Sequence, residues 1–391
     1  MITSTHLGHY NVNGKFFTEK IDAILYANTT LADITWEFHD NIYNNINWTV
    51  EPEPSMDDFY KMRAQQIRDQ YDYVIVLCSG GGDSTNVIYS FLNNNILIDE
   101  IIASAPITGL DKWKHQTKDN AADNTISETL YAQLPLINTI KQEFPHIKVT
   151  INDYFEAMTE FKTDDWLFRA GEWIHPTSGA RYNLEKLTHI RALADQGKKI
   201  GIVYGIDKPT LVLEADSTIS MLMSDRAVSV QRPAFDTFYP NVDNVLFYYS
   251  PDMPLMQVKQ CHMLARWLHR PENAVALQYT ANAAKRLPSH EANRRRNSLY
   301  ERAIIPCIYP ATYRPVFQGH KPTRMFLGEH DAWFYQLHGN TRMYEMIDSD
   351  FRNFYNTIDD KYFAENKTGF KVFIQKHQIG NVSNFTPLVL T

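Results

Sequence analysis

One short segment of the chain combines residue types that can bind phosphate and a metal ion. Glycines lack a Cβ atom, so consecutive backbone N–H groups can turn toward one anion, and serine and threonine hydroxyls can add hydrogen bonds. A carboxylate would repel a polyphosphate unless Mg²⁺, which binds carboxylate and phosphate oxygens together, lies between them. We therefore expect this segment to bind a nucleotide polyphosphate. Its residues are Ser79, Gly80, Gly81, Gly82, Asp83, Ser84 and Thr85.

The residues on either side of this segment predict a strand before it and a helix after it. Residues 73–78 read YVIVLC, an apolar run typical of a buried strand, and residues 86–92 read NVIYSFL, with apolar residues at helical spacing. A phosphate at such a turn would also meet the positive end of the helix. The simpler alternative is a glycine turn in which Asp83 or Ser84 only caps the helix.

The wider pattern from 71 to 225 alternates strands with helices, which predicts an α/β domain with a parallel sheet covered by helices on both faces. Ligands in such sheets bind at the carboxyl ends of the strands. The predicted strands are 73–78, 100–105, 147–151 and 199–205. The predicted helices are 84–94, 122–143 and 183–196.

Two further regions flank this domain. Residues 1–70 form an N-terminal extension with a predicted hairpin at Asn13-Gly14. Residues 226–391 are expected to be a mainly helical region for a substrate or a partner, and their aromatic residues to fill a core or a pocket for a flat substrate. The other elements expected in these two regions are helices at 18–27, 59–70 and 253–269 and a strand at 370–374.

The S-G-G-x-D-S pattern at 79–84 resembles the PP-loop of the N-type ATP pyrophosphatases, which include the asparagine, GMP and NAD synthetases, tRNA-lysidine synthetases and PAPS reductases. The resemblance covers about residues 71–215 and implies a Rossmann-like, adenine nucleotide alpha hydrolase-like fold. It implies that residues 79–85 hold the pyrophosphate portion of ATP and that the strand end at Ala103 to Ala105 borders the adenine. The Walker A pattern of other ATP-binding loops is absent from the sequence.

A second motif, VYGIDKP, follows the strand at 199–205. It looks similar to the G-T-x-D turn of NAD and GMP synthetases, which implies that Gly205 lies in the nucleotide site, that Asp207 holds Mg²⁺ together with Asp83, and that Lys208 meets phosphate. The match is loose, because Ile206 replaces a small hydroxyl residue. The alternative is an ordinary surface turn closed by proline.

Together the two motifs predict an ATP-dependent enzyme of the ligase type, with Asp83, Asp207 and Lys208 as catalytic residues and ATP and Mg²⁺ as cofactors. An oxygen of a carboxylate, amide or nucleobase carbonyl would attack the α-phosphate, pyrophosphate would leave, and a nitrogen or sulfur nucleophile would displace AMP. Three alternatives stay open: a PAPS reductase-like sulfonucleotide enzyme, a tRNA-modifying PP-loop enzyme, and a nucleotide-binding module without catalysis.

Composition limits the expected partners. A formal net charge of −7 disfavours general binding to nucleic acid. The three cysteines, Cys78, Cys261 and Cys307, form no metal-binding motif, and the chain has no cysteine before Cys78 that could serve a fused glutaminase. We therefore expect a small-molecule substrate, with ammonia or sulfur arriving free or from a separate donor protein, and self-association into a homo-oligomer as a further option.

The chain is expected to work in the cytoplasm. Its first residues show no basic segment followed by an apolar stretch, as a secretion signal would. No apolar run approaches the roughly 20 residues that a membrane-spanning helix needs.

The basic cluster Arg294–Arg296 tests the less favoured tRNA alternative. Three adjacent arginines on a helix point in different directions, so we expect a solvated surface and little change in tRNA retention when all three become glutamine. Filter binding at two salt concentrations checks this, because phosphate contacts make affinity fall steeply with salt. Tight, salt-sensitive binding that the triple change abolishes would instead favour a tRNA-modifying enzyme.

Overall fold

The computed structural model describes most of the N-terminal two thirds of the chain and three short segments near its end. The described residues are 8–105, 107–108, 129–153, 184, 186–206, 208–225, 239–273, 307–309, 357–363 and 370–385. Two of the features singled out from the sequence, Asp207 and Arg294–Arg296, lie outside them.

The described elements alternate between strands and helices through much of the chain. The strands are β1 (His9–Val12), β2 (Lys15–Phe17), β3 (Thr35–Glu37), β4 (Tyr73–Leu77), β5 (Glu100–Ala105), β6 (Lys148–Asp153), β7 (Ile200–Tyr204), β8 (Thr210–Leu213), β9 (Thr218–Ser224), β10 (Val242–Leu246) and β11 (Ile374–Asn381). The α-helices are α1 (Lys20–Thr30), α2 (Asp40–Tyr43), α3 (Met56–Gln70), α4 (Gly82–Leu92), α5 (Leu134–Glu143), α6 (Thr188–Asp195), α7 (Pro254–Leu268) and α8 (Val382–Phe385). A five-residue π-helix, Thr129–Gln133, leads directly into α5.

A five-stranded sheet, parallel throughout, forms the centre of the fold, with strand order β10-β7-β4-β5-β6. All five residues of β7 are buried, as expected of a strand covered on both faces. Helices flank the sheet, and α3 packs against both α4 and α7. The predicted α/β class is therefore confirmed, and this strand order is compatible with a Rossmann-like fold.

The fifth strand of this sheet was missed by the sequence analysis. β10 reads VDNVL, without the apolar run that marks the other strands, and it follows residue 225, in the region expected to be mainly helical. Asp243 accepts a hydrogen bond from the hydroxyl of Tyr71, and Asn244 accepts one from that of Tyr204. These polar side chains are satisfied by tyrosines, which allows them to lie in a strand of the sheet.

Most predicted helices exist with shifted ends. α3 begins at Met56 rather than near 59, because Ser55 and Asp58 form a capping box with each other's backbone N–H groups. Of the helix expected at 122–143, the described part is the π-helix and α5. Among the described residues after 225, α7 matches the predicted helix at 253–269, while β10 and β11 are strands.

Two smaller antiparallel sheets accompany the central one, with orders β2-β1-β3 and β11-β9-β8. The hairpin at Asn13-Gly14 is confirmed, and both residues have the positive φ of a two-residue turn, 51° and 82°. The strand expected at 370–374 is displaced, because the ladder with β9 begins only at Ile374. Phe370 instead forms an isolated bridge with Phe363.

The N-terminal elements also contact a segment near the end of the chain. The side chain of Asn28 in α1 donates to the carbonyl of Thr357 at 2.8 Å and accepts from the backbone N–H of Asp359 at 2.8 Å. The buried hydroxyl of Tyr362 donates to the carbonyl of Ala32 at 2.7 Å. Residues about 330 positions apart are therefore joined directly. Among the described residues, no helix has the length and apolar character needed to cross a bilayer.

A buried ion pair connects α1 to the end of β9. Nζ of Lys20 lies 2.8 Å from Oδ2 of Asp225, and their side chains are 2% and 0% exposed. The hydroxyl of Tyr10 donates to the same carboxylate at 3.0 Å, and the backbone N–H of Phe373 donates to it at 3.2 Å. Three separate parts of the chain thus meet at one carboxylate.

Replacing Asp225 by asparagine keeps its shape but removes the negative charge that pairs with the buried Lys20 ammonium. We expect the free energy of unfolding to fall by about 3 kcal/mol or more, since breaking one side of a buried pair is strongly destabilising. Asp33→Asn is the matched control, because Asp33 pairs with Lys361 at 3.3 Å but is 98% exposed, and we expect almost no change. Urea unfolding of both variants measures this, and equal effects would contradict it.

Candidate functional site

The strand order places a topological switch point of the central sheet between β4 and β7. From β4 the chain proceeds outward through β5 and β6, then returns to the other side of β4 for β7 and β10. Val76 pairs with Val203, so both strands end at the same level. Ligands in open α/β sheets bind at the carboxyl ends of the strands on either side of such a switch point. The two motifs found in the sequence, around Asp83 and Lys208, leave these two strand ends.

Hydrogen bonds within the segment 79–85 fix its shape. The backbone N–H of Ser79 donates to Oγ of Ser84 at 3.2 Å, and the two serine oxygens are 3.1 Å apart. The hydroxyl of Thr85 donates to the carbonyl of Gly81 at 2.8 Å. Ser84 and Thr85 are buried, at 5% and 1% exposed. In this arrangement the hydroxyls that we expected to bind phosphate hold the loop together.

The first turn of α4 leaves backbone donors at the switch point. Its N-cap residue is Gly81, which has no capping side chain, and the first intrahelical bond runs from the N–H of Thr85 to the carbonyl of Gly81. The N–H groups of Gly82, Asp83 and Ser84 therefore have no acceptor within the helix. Because neither Asp83 nor Ser84 occupies the N-cap position, the capping interpretation of these residues is wrong.

The packing around Gly80 leaves no room for a side chain at this position. Its φ is +76°, and a Cβ at this position would lie 2.5 Å from the backbone nitrogen of Gln133. The π-helix that carries Gln133 thus lies directly against the loop. The side chain of Gln133 donates to the carbonyls of Cys78 at 2.6 Å and Ser104 at 3.2 Å, at the ends of β4 and β5. The atoms for which Gly80 makes room in the structure are those of the protein backbone, and its role at phosphate stays a prediction.

Gly205 permits a second close approach. A Cβ there would lie 3.0 Å from both the backbone nitrogen and the Cα of Ser84. The end of β7 therefore comes into direct contact with the first turn of α4, as the shared-site prediction requires. The structure brings the two motifs together.

Asp83 and Lys208, 125 positions apart, form an ion pair at this contact. Nζ of Lys208 lies 2.6 Å from Oδ2 of Asp83, with the side chains 11% and 14% exposed. The carbonyl of Lys208 accepts a hydrogen bond from the hydroxyl of Tyr249 at 3.2 Å. The predicted catalytic aspartate and lysine are thus in contact, while the third predicted residue, Asp207, lies outside the described residues.

Two tyrosines also contact Asp83, and the sequence analysis missed both. The hydroxyl of Tyr309 donates to Oδ1 of Asp83. The hydroxyl of Tyr248 donates to the backbone carbonyl of Asp83 at 3.0 Å and accepts from the side chain of Asn86 at 2.8 Å. Burial raises the pKa of both tyrosines well above the ordinary value, with the Asp83 carboxylate adding to the rise. Both hydroxyls therefore keep their protons as donors.

The strand end expected to border adenine is mostly covered. Ala103 and Ala105 are fully buried, and only Ser104 between them is partly exposed. The hydroxyl of Ser104 accepts from the side chain of Asn152 at 3.2 Å. Ala103 and Ala105 pack within the described part of the chain, and the contact of this strand end with adenine stays a prediction.

The possible metal ligands that the structure describes around Asp83 are too few to hold Mg²⁺ by protein groups alone. They fit a magnesium ion whose other ligands come from a nucleotide and water. In the described part of the chain, no group of three or more histidine, cysteine, aspartate or glutamate side chains could hold a metal. Mg²⁺ commonly takes one or two carboxylates and completes its shell with phosphate oxygens and water. Asp83, next to the N–H groups of α4 that have no acceptor within the helix, supplies one such carboxylate.

Comparisons of this chain with protein-family models, with curated proteins and with solved structures gave no match. The resemblance to the PP-loop superfamily therefore stays an expectation that depends on the motif at 79–84 and on its position between β4 and α4.

Replacing Gly80 by alanine tests the contact between the loop and the π-helix. We expect a loss of about 3 kcal/mol in the free energy of unfolding, because the new Cβ meets backbone atoms and the positive φ is unfavourable for alanine. Gly14→Ala is the matched control: its φ is +82° but no atom lies within 4 Å of the added Cβ, so only the conformational cost of about 1 kcal/mol applies. Guanidinium unfolding measures both, and equal losses would contradict the contact.

Proposed function

We propose that this chain is an ATP-dependent enzyme that binds ATP with Mg²⁺ between the ends of β4 and β7 and forms AMP and pyrophosphate. The observation that carries the proposal is the contact of Asp83 with Lys208 at a switch point of a parallel sheet. A carboxylate, a lysine and the first N–H groups of a helix at one such point are the groups needed to hold a metal and a polyphosphate. The PP-loop resemblance of 79–84 supports the same assignment.

In this proposal each group has a separate role. The N–H groups at the start of α4 donate to phosphate oxygens, and the positive end of the helix favours their charge. Lys208 exchanges its contact with Asp83 for one with the leaving pyrophosphate, whose developing charge it neutralises. Asp83 then offers a carboxylate oxygen to the metal. Mg²⁺, when bound, would add charge neutralisation at the phosphates.

The acceptor supplies the atom that attacks. An oxygen of a carboxylate, amide or nucleobase carbonyl forms a bond to the α-phosphorus while the bond to the bridging oxygen of pyrophosphate breaks. A nitrogen or sulfur nucleophile then displaces AMP and completes the ligation. The protein mainly positions these groups, which is where most of the rate enhancement of such reactions arises. The nucleophile would arrive free or from a separate donor protein.

One observation favours a second candidate, a nucleotide-binding module without catalysis. Both oxygens of the Asp83 carboxylate already accept from protein donors, Lys208 and Tyr309. A site whose charges are balanced within the protein could bind a nucleotide without turning it over. Pyrophosphate release separates this candidate from the enzyme.

Replacing Asp83 by asparagine tests the enzyme. We expect Mg²⁺-dependent release of pyrophosphate from ATP to fall by about 10²-fold or more, because one preorganised electrostatic contact is worth about 3 kcal/mol at the transition state. Asp99→Asn is the matched control, since Asp99 forms a similarly buried pair with Arg68 at the opposite, amino ends of the central strands. It should lose comparable stability and keep its activity.

The assay couples pyrophosphate release to a colorimetric readout over a panel of carboxylate, amide and nucleobase acceptors, with calorimetry for ATP affinity. Mg²⁺-dependent binding without pyrophosphate release from any acceptor would favour the non-catalytic module. Equal ATP affinity and equal Mg²⁺ dependence in the wild-type protein and Asp83→Asn would refute the metal-binding role of Asp83.

A further inference from the structure

In the part of the chain that the structure describes, two donors of different kinds hold the carboxylate of Asp83. Lys208, a cation from the loop after β7, contacts Oδ2, and Tyr309, a neutral donor 226 positions further along the chain than Asp83, contacts Oδ1. The tyrosine therefore brings a distant part of the sequence to the candidate metal ligand.

The segment that carries Tyr309 is attached to the helices beside the central sheet. The carbonyl of Ile308 accepts a hydrogen bond from the buried hydroxyl of Tyr60, in α3, at 2.6 Å. That hydroxyl accepts in turn from the side chain of Gln260, in α7, at 3.0 Å. The ring of Tyr309 packs against that of Tyr248, with centroids 6.1 Å apart. Tyr309 thus has a fixed position relative to α4.

The two donors differ in what a metal would require of them. A carboxylate has about four lone-pair positions on its two oxygens, so a hydroxyl on Oδ1 leaves room for a cation on Oδ2. Lys208 occupies Oδ2 with a positive charge and must leave when a second cation binds there. Tyr309 is neutral and can stay.

We propose that Tyr309 is a positioning residue that orients the Asp83 carboxylate for a metal–nucleotide complex and remains bound to it when Lys208 moves to phosphate. The inference rests on the proposed function. Hydrogen bonds to metal-ligating carboxylates fix their orientation, and removing such a partner commonly weakens metal affinity 10- to 100-fold.

The test compares ATP affinity with saturating Mg²⁺ and with EDTA, measured by calorimetry on the full chain. In Tyr309→Phe we expect the factor by which Mg²⁺ strengthens ATP binding to fall about tenfold or more, and the affinity in EDTA to change little. Tyr10→Phe is the matched control, because it also removes a buried tyrosine hydroxyl that donates to a carboxylate, that of Asp225, outside the Asp83 cluster. It should lower the Tm and leave the Mg²⁺ factor unchanged.

Two further variants extend the test. In an Asp83→Asn background, Tyr309→Phe should change the Mg²⁺ factor no further, because both act through one carboxylate. If Tyr309→Phe does not fold, Tyr60→Phe, which loosens the Ile308 attachment, should lower the factor in the same direction, and an unchanged factor overturns the inference.

The outcomes distinguish a failure of the proposed metal–nucleotide site from a failure of the proposed role of Tyr309. A wild-type protein whose ATP binding ignores Mg²⁺ overturns the metal site, and with it this inference. A wild-type protein that responds to Mg²⁺, together with a folded Tyr309→Phe that responds equally, overturns the role of Tyr309 alone. Weaker ATP binding by Tyr309→Phe, to the same extent with and without Mg²⁺, would show that the residue only supports packing and would also overturn it.

Discussion

The parallel pairing of β4 with β7 is the constraint on which the candidate site depends. These strands are neighbours in the sheet although more than 120 residues of chain separate them, and their register makes them end together. Gly205 lets the end of β7 touch the first turn of α4, and this contact brings Lys208 to Asp83. A shift in that register would move one motif along the other and separate the charges. The geometry of the candidate site is therefore set by backbone pairing between strands.

Much of the central domain could be predicted because its signals are local. The apolar runs at β4, β5 and β7 are typical of strands buried on both faces, and the glycine segment marks where β4 gives way to a helix. From these runs, the rule that ligands bind at strand carboxyl ends was enough to place Asp83 and Lys208 near each other. The strand β10 was not predicted, because its polar residues are hydrogen-bonded to tyrosines that are distant in the sequence. No local pattern reveals such contacts.

The remaining parts of the site depend on contacts between residues that are far apart in the sequence. Tyr309 and Tyr248 lie in a region whose many aromatic residues predict a core equally well, and nothing near them in the sequence indicates Asp83 as their partner. For Gly80, the sequence indicates an important residue but not the contact that makes it important. Its presence was predicted to matter, but the reason, a π-helix 50 residues later lying against it, requires the tertiary structure.

The contact between α1 and the segment 357–363 has a consequence for the order in which this protein can fold during synthesis. α1 leaves the ribosome about 330 residues before the partners of Asn28 and Ala32 have been synthesised. Likewise, β4 gains its second neighbouring strand in the central sheet only after β7 has been synthesised. Such long-range closure slows folding and leaves apolar surface exposed on the growing chain. The contacts of α1 with this segment are thus completed long after α1 itself has been translated.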